Sequence, residues 1–549
     1  MLPSAHAAQK ETAKAPPATG GDPTEVVKLI DETLKSSWED NKITPALRCE
    51  DHEFIRRASL DIIGRIATPA EIKTYMDDPA KDRRQKLIER LLKSEDYAKN
   101  WGNIWANWLL TRTGAFGRGQ YHDGTQLWLE EQFSLNKPFH EIVKALITAE
   151  GKNTDNPAVN FILAHVGENS PKGEEREGGQ FTMVPITSRM SRLFLGIQTQ
   201  CTQCHDHPFG KLKQHHFWGI NAFLRQVRRE GTPPLPGNRM MTFGPLTLRD
   251  DVTVNEDAQV FFETRNAKLL PAKAQFIDGT KITSEDHDGK KVPIQGKARR
   301  EELARLIIEH PNFPKAQVNR MWAHFFARGF VNPIDDFHEK NEPSHPELLE
   351  EMAKRYRHYG FNQKDLIRWI CNSEAYNLSC VSNKTNEKPE AEQLFSRMLP
   401  KAMSPEELFE SLMIATGQTM TKDEKSKRRA DWLGNLISNF GDDEGNEVSF
   451  NGTVVQALMM MNGSDLNTAI APGKDEGNVA KIVKEHKGNG RAIVRELYLL
   501  TLNRPPATKE LEKIYQAMQQ MRTRDKDIMA PYQDLLWALL NSNEFMLNH

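Results

Sequence analysis

The residues best placed to do chemistry are Cys201-Thr202-Gln203-Cys204-His205, a C-x-x-C-H. Two thiols at this spacing can add to the two vinyl groups of one haem, and the adjacent imidazole then reaches the iron. The chain has five cysteines in 549 residues, so chance would place this pattern in roughly one sequence in a thousand. Cys201 and Cys204 are therefore candidate attachment points for one covalent haem c, with His205 as an axial ligand. Other uses of the same residues stay open. A thioredoxin-like dithiol needs a strand–loop–helix setting, whereas Arg189–Ile197 reads as a helix. A zinc or other metal site could add His207, His215 and His216 to His205 and the thiols. The plainest use is a structural disulfide beside surface histidines. A second axial ligand for a haem could come from His207, His215, His216, Met183, Met190, Met240 or Met241. Asp206 could orient a ligand histidine by a hydrogen bond.

A second cluster combines Asn319-Arg320-Met321-Trp322 with Asp335-Asp336-Phe337-His338, and continues through Asn341 to Ser344-His345-Pro346. Two carboxylates with nearby His338 and His345 could hold a metal or do acid–base work. Adjacent residues usually point different ways. Caps, turns and a buried ion pair to Arg320 explain the cluster more simply.

The elements that must position these groups read as mostly helical. Asp22-Pro23-Thr24-Glu25, Thr68-Pro69-Ala70-Glu71 and Ser404-Pro405-Glu406-Glu407 each carry a cap, a Pro at the first helical position and a Glu at the third. Ser344-His345-Pro346-Glu347 is a variant with Pro one place later. Tyr97, Trp101, Ile104, Trp105 and Trp108 recur at helical spacing and form an aromatic stripe suited to a core. A weak repeat joins Arg65, Thr68, Glu71 and Leu91–Tyr97 to Arg504, Glu510 and Leu539–Phe545, and Ile370–Tyr376 resembles its closing piece.

Residues 230–298 break this pattern. Pro233, Pro234, Pro236 and Gly237 stop a helix. Val252–Val254 and Gln259–Phe262 read as strands, and Asp278-Gly279 and Asp288-Gly289 as turns. The expected fold is mainly α, with a small β-rich insert between two helical parts. The divisions are a leader at 1–21, a helical domain with the C-x-x-C-H at 22–229, the insert at 230–298, and a helical partner domain at 299–549. Residues 418–450 are charge-rich and read as a surface excursion. In the leader, Ala5-His6-Ala7 has the small-x-small form of a signal-peptidase site, without the apolar stretch that should precede it.

Length and composition fit this picture. At roughly 100–200 residues per domain, the length suits about three or four units. Hydrophobic residues make up 38% and charged residues 27%, and 10 Trp with 25 Phe can fill a core. Lys+Arg 73 against Asp+Glu 75 leaves a net charge of -2, which gives no reason to expect a nucleic-acid partner. No apolar run reaches the roughly 18 residues of a membrane span. Five cysteines are too few for a disulfide scaffold.

Longer stretches resemble the planctomycete-specific cytochrome-type proteins. In these, an N-terminal domain of unknown function (PSCyt type, containing C-x-x-C-H) precedes a C-terminal partner of unknown function (PSD type). The first resemblance rests on Phe54–Arg65, Thr68–Glu71, Leu91–Ser94 and Cys201–Phe209. The second rests on Val318–Phe326, Gly329–Val331, Asp335–Phe337, Pro343–Leu349 and Leu497–Leu502. The resemblance spans nearly the whole chain after about residue 22. It implies export and a cytochrome-like role for Cys201, Cys204 and His205, but no established reaction. Longer relatives carry a further N-terminal cytochrome domain. This chain has a single C-x-x-C-H, so at most one covalent haem is expected.

Together these features lead to an exported or periplasmic, largely helical c-type haem protein. Its expected work is electron transfer with a redox partner protein, or redox chemistry linked to polymer breakdown at the envelope. Two other readings stand behind it. One is a zinc- or disulfide-stabilised structural protein that binds a partner. The other is a metal-dependent hydrolase using Asp335, Asp336 and His345.

Overall fold

Two helices begin at capping boxes that the sequence supplies. The Thr68 hydroxyl accepts from Glu71 N (3.3 Å) while Glu71 accepts from Thr68 N (2.8 Å). Ser404 and Glu407 repeat the exchange at 3.2 and 2.6 Å. Each box satisfies two amides that the first helical turn leaves without partners. Ser344-His345 departs from this pattern. His345 occupies the cap position without a side-chain cap bond, because the Ser344 hydroxyl is engaged by His345 Nδ1 instead (3.0 Å).

The structure is a computed structural model. It describes residues 23–110, 120–166, 181–208, 210–231, 245–253, 259–282, 285–287, 290–417, 429, 431, 477–522 and 528–549. The expected leader at 1–21, Pro233–Gly237, Met240, Met241, Asp288-Gly289 and, apart from Arg429 and Asp431, the 418–450 segment lie outside these residues.

The N-terminal helices are α1 (Pro23–Asp40), α2 (Asp51–Ile63), α3 (Pro69–Met76), α4 (Arg83–Lys93), α5 (Glu95–Leu110), α6 (Gln120–Ser134), α7 (Phe139–Thr148) and α8 (Asn160–Leu163). Two more, α9 (Val184–Leu195) and α10 (Gln214–Ala222), flank the C-x-x-C-H. Then α11 (Lys297–Glu309), α12 (Asn312–Phe326), α13 (Pro346–His358) and α14 (Gln363–Asn372) precede α15 (Pro405–Thr416) and α16 (Gly477–Glu485). The last four are α17 (Gly490–Leu502), α18 (Thr508–Arg522), α19 (Ala530–Leu540) and α20 (Asn543–Met546).

The strands are short. β1 (Gly151–Lys152), β2 (Val227–Glu230) and β3 (Thr247–Asp250) form an antiparallel sheet of order β1-β3-β2. β4 (Val260–Glu263) pairs with β5 (Leu269–Ala272), β6 (Glu285–His287) with β7 (Lys290–Val292), and β8 (Lys401–Ala402) with β9 (Leu547–Asn548). The fold is mainly α, with a strand-rich segment between helical parts. Val252 and Thr253 form a turn rather than the expected strand. The Asp251 carboxylate captures both the Thr253 amide (3.1 Å) and its hydroxyl (2.6 Å), a local bond that competes with strand pairing. Among the described residues no helix is long and apolar enough to cross a membrane.

The aromatic stripe of α5 is core. Tyr97, Trp101, Trp105 and Trp108 are buried. Trp105 meets Phe139 of α7 at 4.7 Å between ring centroids, and Trp101 meets His324 of α12 at 5.0 Å. One apolar cluster runs from Val26 of α1 to Met398 and takes in α5, α9, α12 and α14. A second joins Leu60 and Ile66 to residues from Met403 to Phe545. Helix α2 therefore lies between the two.

Polar side chains of α2 clamp distant segments. Arg56 donates to the carbonyls of Thr501 (3.0 Å) and Phe545 (2.7 Å). Arg57 donates to those of Tyr376 (2.6 Å), Leu378 (2.8 Å) and His549 (3.2 Å). Buried Asp61 accepts from Lys401 Nζ (2.5 Å), Asn548 Nδ2 (2.8 Å) and the Tyr376 hydroxyl (2.6 Å).

The sequence repeat corresponds to a shared elbow. Arg65 forks onto Glu71 (2.9 and 2.8 Å) and reaches Asp96 (2.8 Å). Arg504 forks onto Glu510 (2.8 and 2.9 Å) and reaches Glu544 (2.5 Å). The preceding helices, α2 and α17, each end in a left-handed residue, Gly64 and Asn503. The elbows touch: the Asn503 side chain bonds both the amide (3.2 Å) and the carbonyl (2.7 Å) of Ala67.

Removing a buried carboxylate leaves its ammonium partner uncompensated, at a cost of about 3–5 kcal/mol. Asp61→Ala should lose about that much in urea denaturation. A loss below about 1 kcal/mol would remove Asp61 as a structural hub.

Candidate functional site

The C-x-x-C-H sits on a single 3₁₀ turn, Gln200–Gln203, with Cys204 at its end. Thr202 tightens the turn by bonding the Thr199 carbonyl through its amide (2.9 Å) and its hydroxyl (2.6 Å). Helix α10 supports it from behind. Trp218 Nε1 and Gln214 Nε2 both donate to the Gln203 carbonyl at 3.0 Å. Gln214 also reaches the Glu263 carbonyl on β4 (2.8 Å), and Trp218 stacks on Phe262 at 6.0 Å. The strand-rich segment thus braces the thiol turn.

All five cysteines are free thiols, with Cys201 half-buried and Cys204 exposed. Burial pushes the Cys201 thiol above its ordinary value, and Asp336 adds to the effect. Asp336 comes from the second sequence cluster, so the two clusters meet. Their junction is a backbone hydrogen bond from Phe337 N to Gly196 O (2.9 Å). Gly196 ends α9 in the left-handed region at φ 66°. A Cβ there would lie 2.5 Å from the Phe337 ring.

Helix α12 holds the other side of the junction. Asn319 Nδ2 donates to the carbonyls of Val331 (3.0 Å) and Ile334 (3.1 Å), and its Oδ1 accepts from Val331 N (2.9 Å). Arg320 forms a buried ion pair with Asp335 and lies over the Trp108 ring at 5.4 Å. Asp335 therefore points into the core while its neighbour Asp336 points out.

The second cluster is thereby divided. Asp336 and His338 join the C-x-x-C-H region, and the His207 and His338 rings lie 6.0 Å apart. Arg320 and Asp335 are a core ion pair. His345 is also in the core, with Nδ1 at 3.0 Å from Ser344 Oγ and Nε2 at 3.1 Å from Ser37 Oγ. The structure does not bring Asp335, Asp336 and His345 to one place.

Hydrogen bonding fixes the tautomers of the nearby histidines. A backbone N–H can only donate, so a ring nitrogen that receives one carries no proton. Nδ1 of His207 accepts from Gly210 N (2.9 Å), and Nδ1 of His216 from Lys213 N (2.9 Å). Nδ1 of His338 accepts from Lys340 N (3.1 Å), and Nδ1 of His310 from Asn312 N (3.1 Å). In their neutral forms all four are protonated at Nε2. Burial holds His207, His216 and His310 below the ordinary imidazole value, so they stay neutral at pH 7.

His205 is the opposite case. Its Nδ1 lies 2.7 Å from the Asp206 carbonyl, which can only accept. In its neutral form the proton is on Nδ1 and Nε2 keeps the lone pair. Asp206 does orient a candidate ligand, but through its backbone. Its carboxylate instead takes Gln214 N (3.0 Å) and Lys213 Nζ (3.0 Å) at the start of α10. These bonds lower its pKa, the backbone one most. His215 is exposed, with its ring 4.2 Å from that of His216. Met183 and Met190 are buried.

A covalent haem c would use both thiols and the imidazole of this turn. Both thiols are unbridged, Cys204 is exposed, and the neutral form of the imidazole next to them has its lone pair on Nε2. Zinc fits less well. Ligation through Nε2 of His207 or His216 would first require loss of the Nε2 proton. Among the described residues no three His, Cys, Asp or Glu groups are placed to hold a metal ion.

Beside the turn lies a cleft of about 240 Å³. His207, His216, His310, Asp278, Asp336 and His338 line it. Sequence reasoning missed His310 and Asp278, which are remote from both motifs. It also missed Gly196, although a glycine directly after a helix-period run is a readable stop signal.

Fold and site together define a mainly helical protein with a thiol–imidazole turn beside a histidine-lined cleft. Residues 29–229 match the family model PSCyt2, described as a protein of unknown function (DUF1549). Residues 299–433 match PSD1, a protein of unknown function (DUF1553). The chain therefore carries these two domains in N-to-C order. The C-x-x-C-H lies in the first match, while His310, Asp336 and His338 lie in the second. No curated protein and no solved structure matches the chain.

Two outcomes test this geometry. Gly196→Ala places a side chain in a left-handed conformation and against Phe337. It should cost more than about 1–2 kcal/mol in chemical denaturation; a neutral result would contradict the junction. Burial lowers His345 to about 4, from an ordinary 6.5. The unfolded chain therefore takes up the proton first as pH falls. The stability this adds is complete above pH 6.5 and is lost as pH drops towards 4. His345→Asn should reduce the stability difference between pH 7 and pH 4 by about 3 kcal/mol.

Proposed function

We propose that Cys201 and Cys204 attach one haem c through two thioether bonds and that His205 ligates its iron. The protein would then be an exported, envelope-side redox protein that passes electrons to or from a partner protein. The observation that carries this reading is the 2.7 Å contact between His205 Nδ1 and the Asp206 carbonyl. Of the five histidines whose Nδ1 bond is defined around the cleft and thiol turn, His205 alone directs Nδ1–H at a carbonyl and leaves Nε2 with a lone pair. This arrangement orients a metal-bound imidazole and makes it a better donor.

Attachment needs no oxidant. Each S–H adds across a vinyl group, the sulfur bonding one carbon and the hydrogen the other. Both thiols must be reduced and reachable at that moment. The unbridged state of both thiols, with Cys204 exposed and Cys201 half-buried, supports this. Once bound, the haem would supply one-electron chemistry. The chain's own residues hold and orient: α10 braces the turn, Asp206 O fixes the imidazole, and the Gly196–Phe337 junction keeps Asp336 close to Cys201.

The test is secretion from a host with a c-type maturation system, followed by a pyridine haemochrome spectrum and intact mass. The expected result is a c-type spectrum and a mass one haem above the polypeptide. Cys201→Ala and Cys204→Ala should each remove one thioether. Colourless secreted protein at the bare polypeptide mass, or stoichiometric zinc in its place, would overturn the proposal.

A further inference from the structure

The cleft between the two matched domains is chemically distinct from the thiol turn. Cys201, Cys204 and His205 do not line it. Its 240 Å³ correspond to about eight waters at roughly 30 Å³ each, enough for a small organic molecule. Five stretches of chain converge on it: Ile197-Gln198 after α9, the loop and helix start around His207 and His216, the turn at Ile277-Asp278, His310 after α11, and the loop from Asp336 to Glu339.

The hydrogen-bonding character of the lining restricts the ligand. His216 and His310 have Nδ1 committed to backbone amides, so each offers the cavity a neutral Nε2–H donor. Lone-pair donation to a metal cation is not available from these rings in that state. Asp278, Asp336 and Glu339 contribute three carboxylates; Glu339 pairs with the one ammonium, Lys211, and Asp336 Oδ2 lies 3.4 Å from His338 Nε2, which leaves the other Asp336 lone pairs for a ligand. That charge balance disfavours an anion. An organic cation would suit the carboxylates but would face the N–H donors. The remaining class both accepts from N–H and donates to carboxylates, and hydroxyl groups do both. Ile277 and Phe337 add apolar faces against which C–H groups can pack.

We propose that this cleft binds a small neutral polyhydroxylated ligand of the sugar type, with His216 and His310 donating to its hydroxyl oxygens and Asp336 accepting from its hydroxyl protons. The site spans both domains, because His216 belongs to the first match while His310 and Asp336 belong to the second. Binding does not require the haem, so the two proposals fail independently.

Saturation-transfer difference NMR and calorimetry with glucose, galactose, xylose and fucose test the assignment on the full chain, with glucuronate and galactose sulfate as anionic comparisons. At least one neutral sugar should bind, and better than its anionic counterpart. Asp336→Asn and His216→Gln should each weaken it by about tenfold, the worth of one well-placed hydrogen bond. Both variants should keep the wild-type circular dichroism spectrum and melting transition. Haem content by pyridine haemochrome should be unchanged in His216→Gln, which separates this result from the attachment test. Absence of transfer to every neutral sugar at millimolar concentration, tighter binding of the anionic partners, or affinity unchanged in both variants would overturn the assignment.

Discussion

A single backbone hydrogen bond, Phe337 N to Gly196 O, joins the two sequence clusters that make up the site. On one side is the helix that leads into the thiol turn. On the other is a loop that comes more than a hundred residues later. The bond can form only because position 196 has no Cβ and tolerates a positive φ. Asn319 and the Arg320–Asp335 ion pair then hold the loop from α12, so that Asp336 and His338 face the thiol turn instead of the core. Chemistry, packing and backbone conformation meet at one point.

The two domains are not beads on a string. The larger apolar cluster draws residues from both, and α2 sends Arg56, Arg57 and Asp61 to carbonyls and side chains of the C-terminal segments. Buried arginines are costly unless their donors are satisfied. Desolvation lowers Arg56 to about 10 even though several carbonyls receive it. These residues therefore fix where the C-terminal chain can go. The cleft also draws its lining from both domains, so a ligand bound there would contact both.

Local features could be read from the sequence and distant ones could not. The boxes at Thr68 and Ser404 depend on residues three apart, and both formed as expected. The Tyr97–Trp108 stripe follows from helical periodicity and is buried. The Arg65 and Arg504 elbows were visible as a spacing repeat, although their ion-pair geometry was not. Val252 looks like strand by its β-branching but lies in a turn, because Asp251 closes a local loop onto Thr253. For the site, Cys201, Cys204, His205, His207, Asp336 and His338 were all legible as candidates. Their division was not. Asp335 and Asp336 are neighbours in sequence, and only the fold sends one inward and the other outward. Nor does any pattern in the letters reveal that His205 faces a carbonyl while His207 and His216 face amides. That distinction depends on turn geometry, and the functional reading rests on it.

Protonation state is therefore the most direct point of attack. Histidine-selective ¹⁵N labelling of the haem-free polypeptide, read by long-range ¹H–¹⁵N correlation, distinguishes the two neutral tautomers ring by ring. His205 should show an Nδ1–H ring, and His207, His216, His310 and His338 should show Nε2–H rings. A spectrum in which His205 carries its proton on Nε2, like its neighbours, would contradict the account and leave no ligand-ready imidazole beside the thiols.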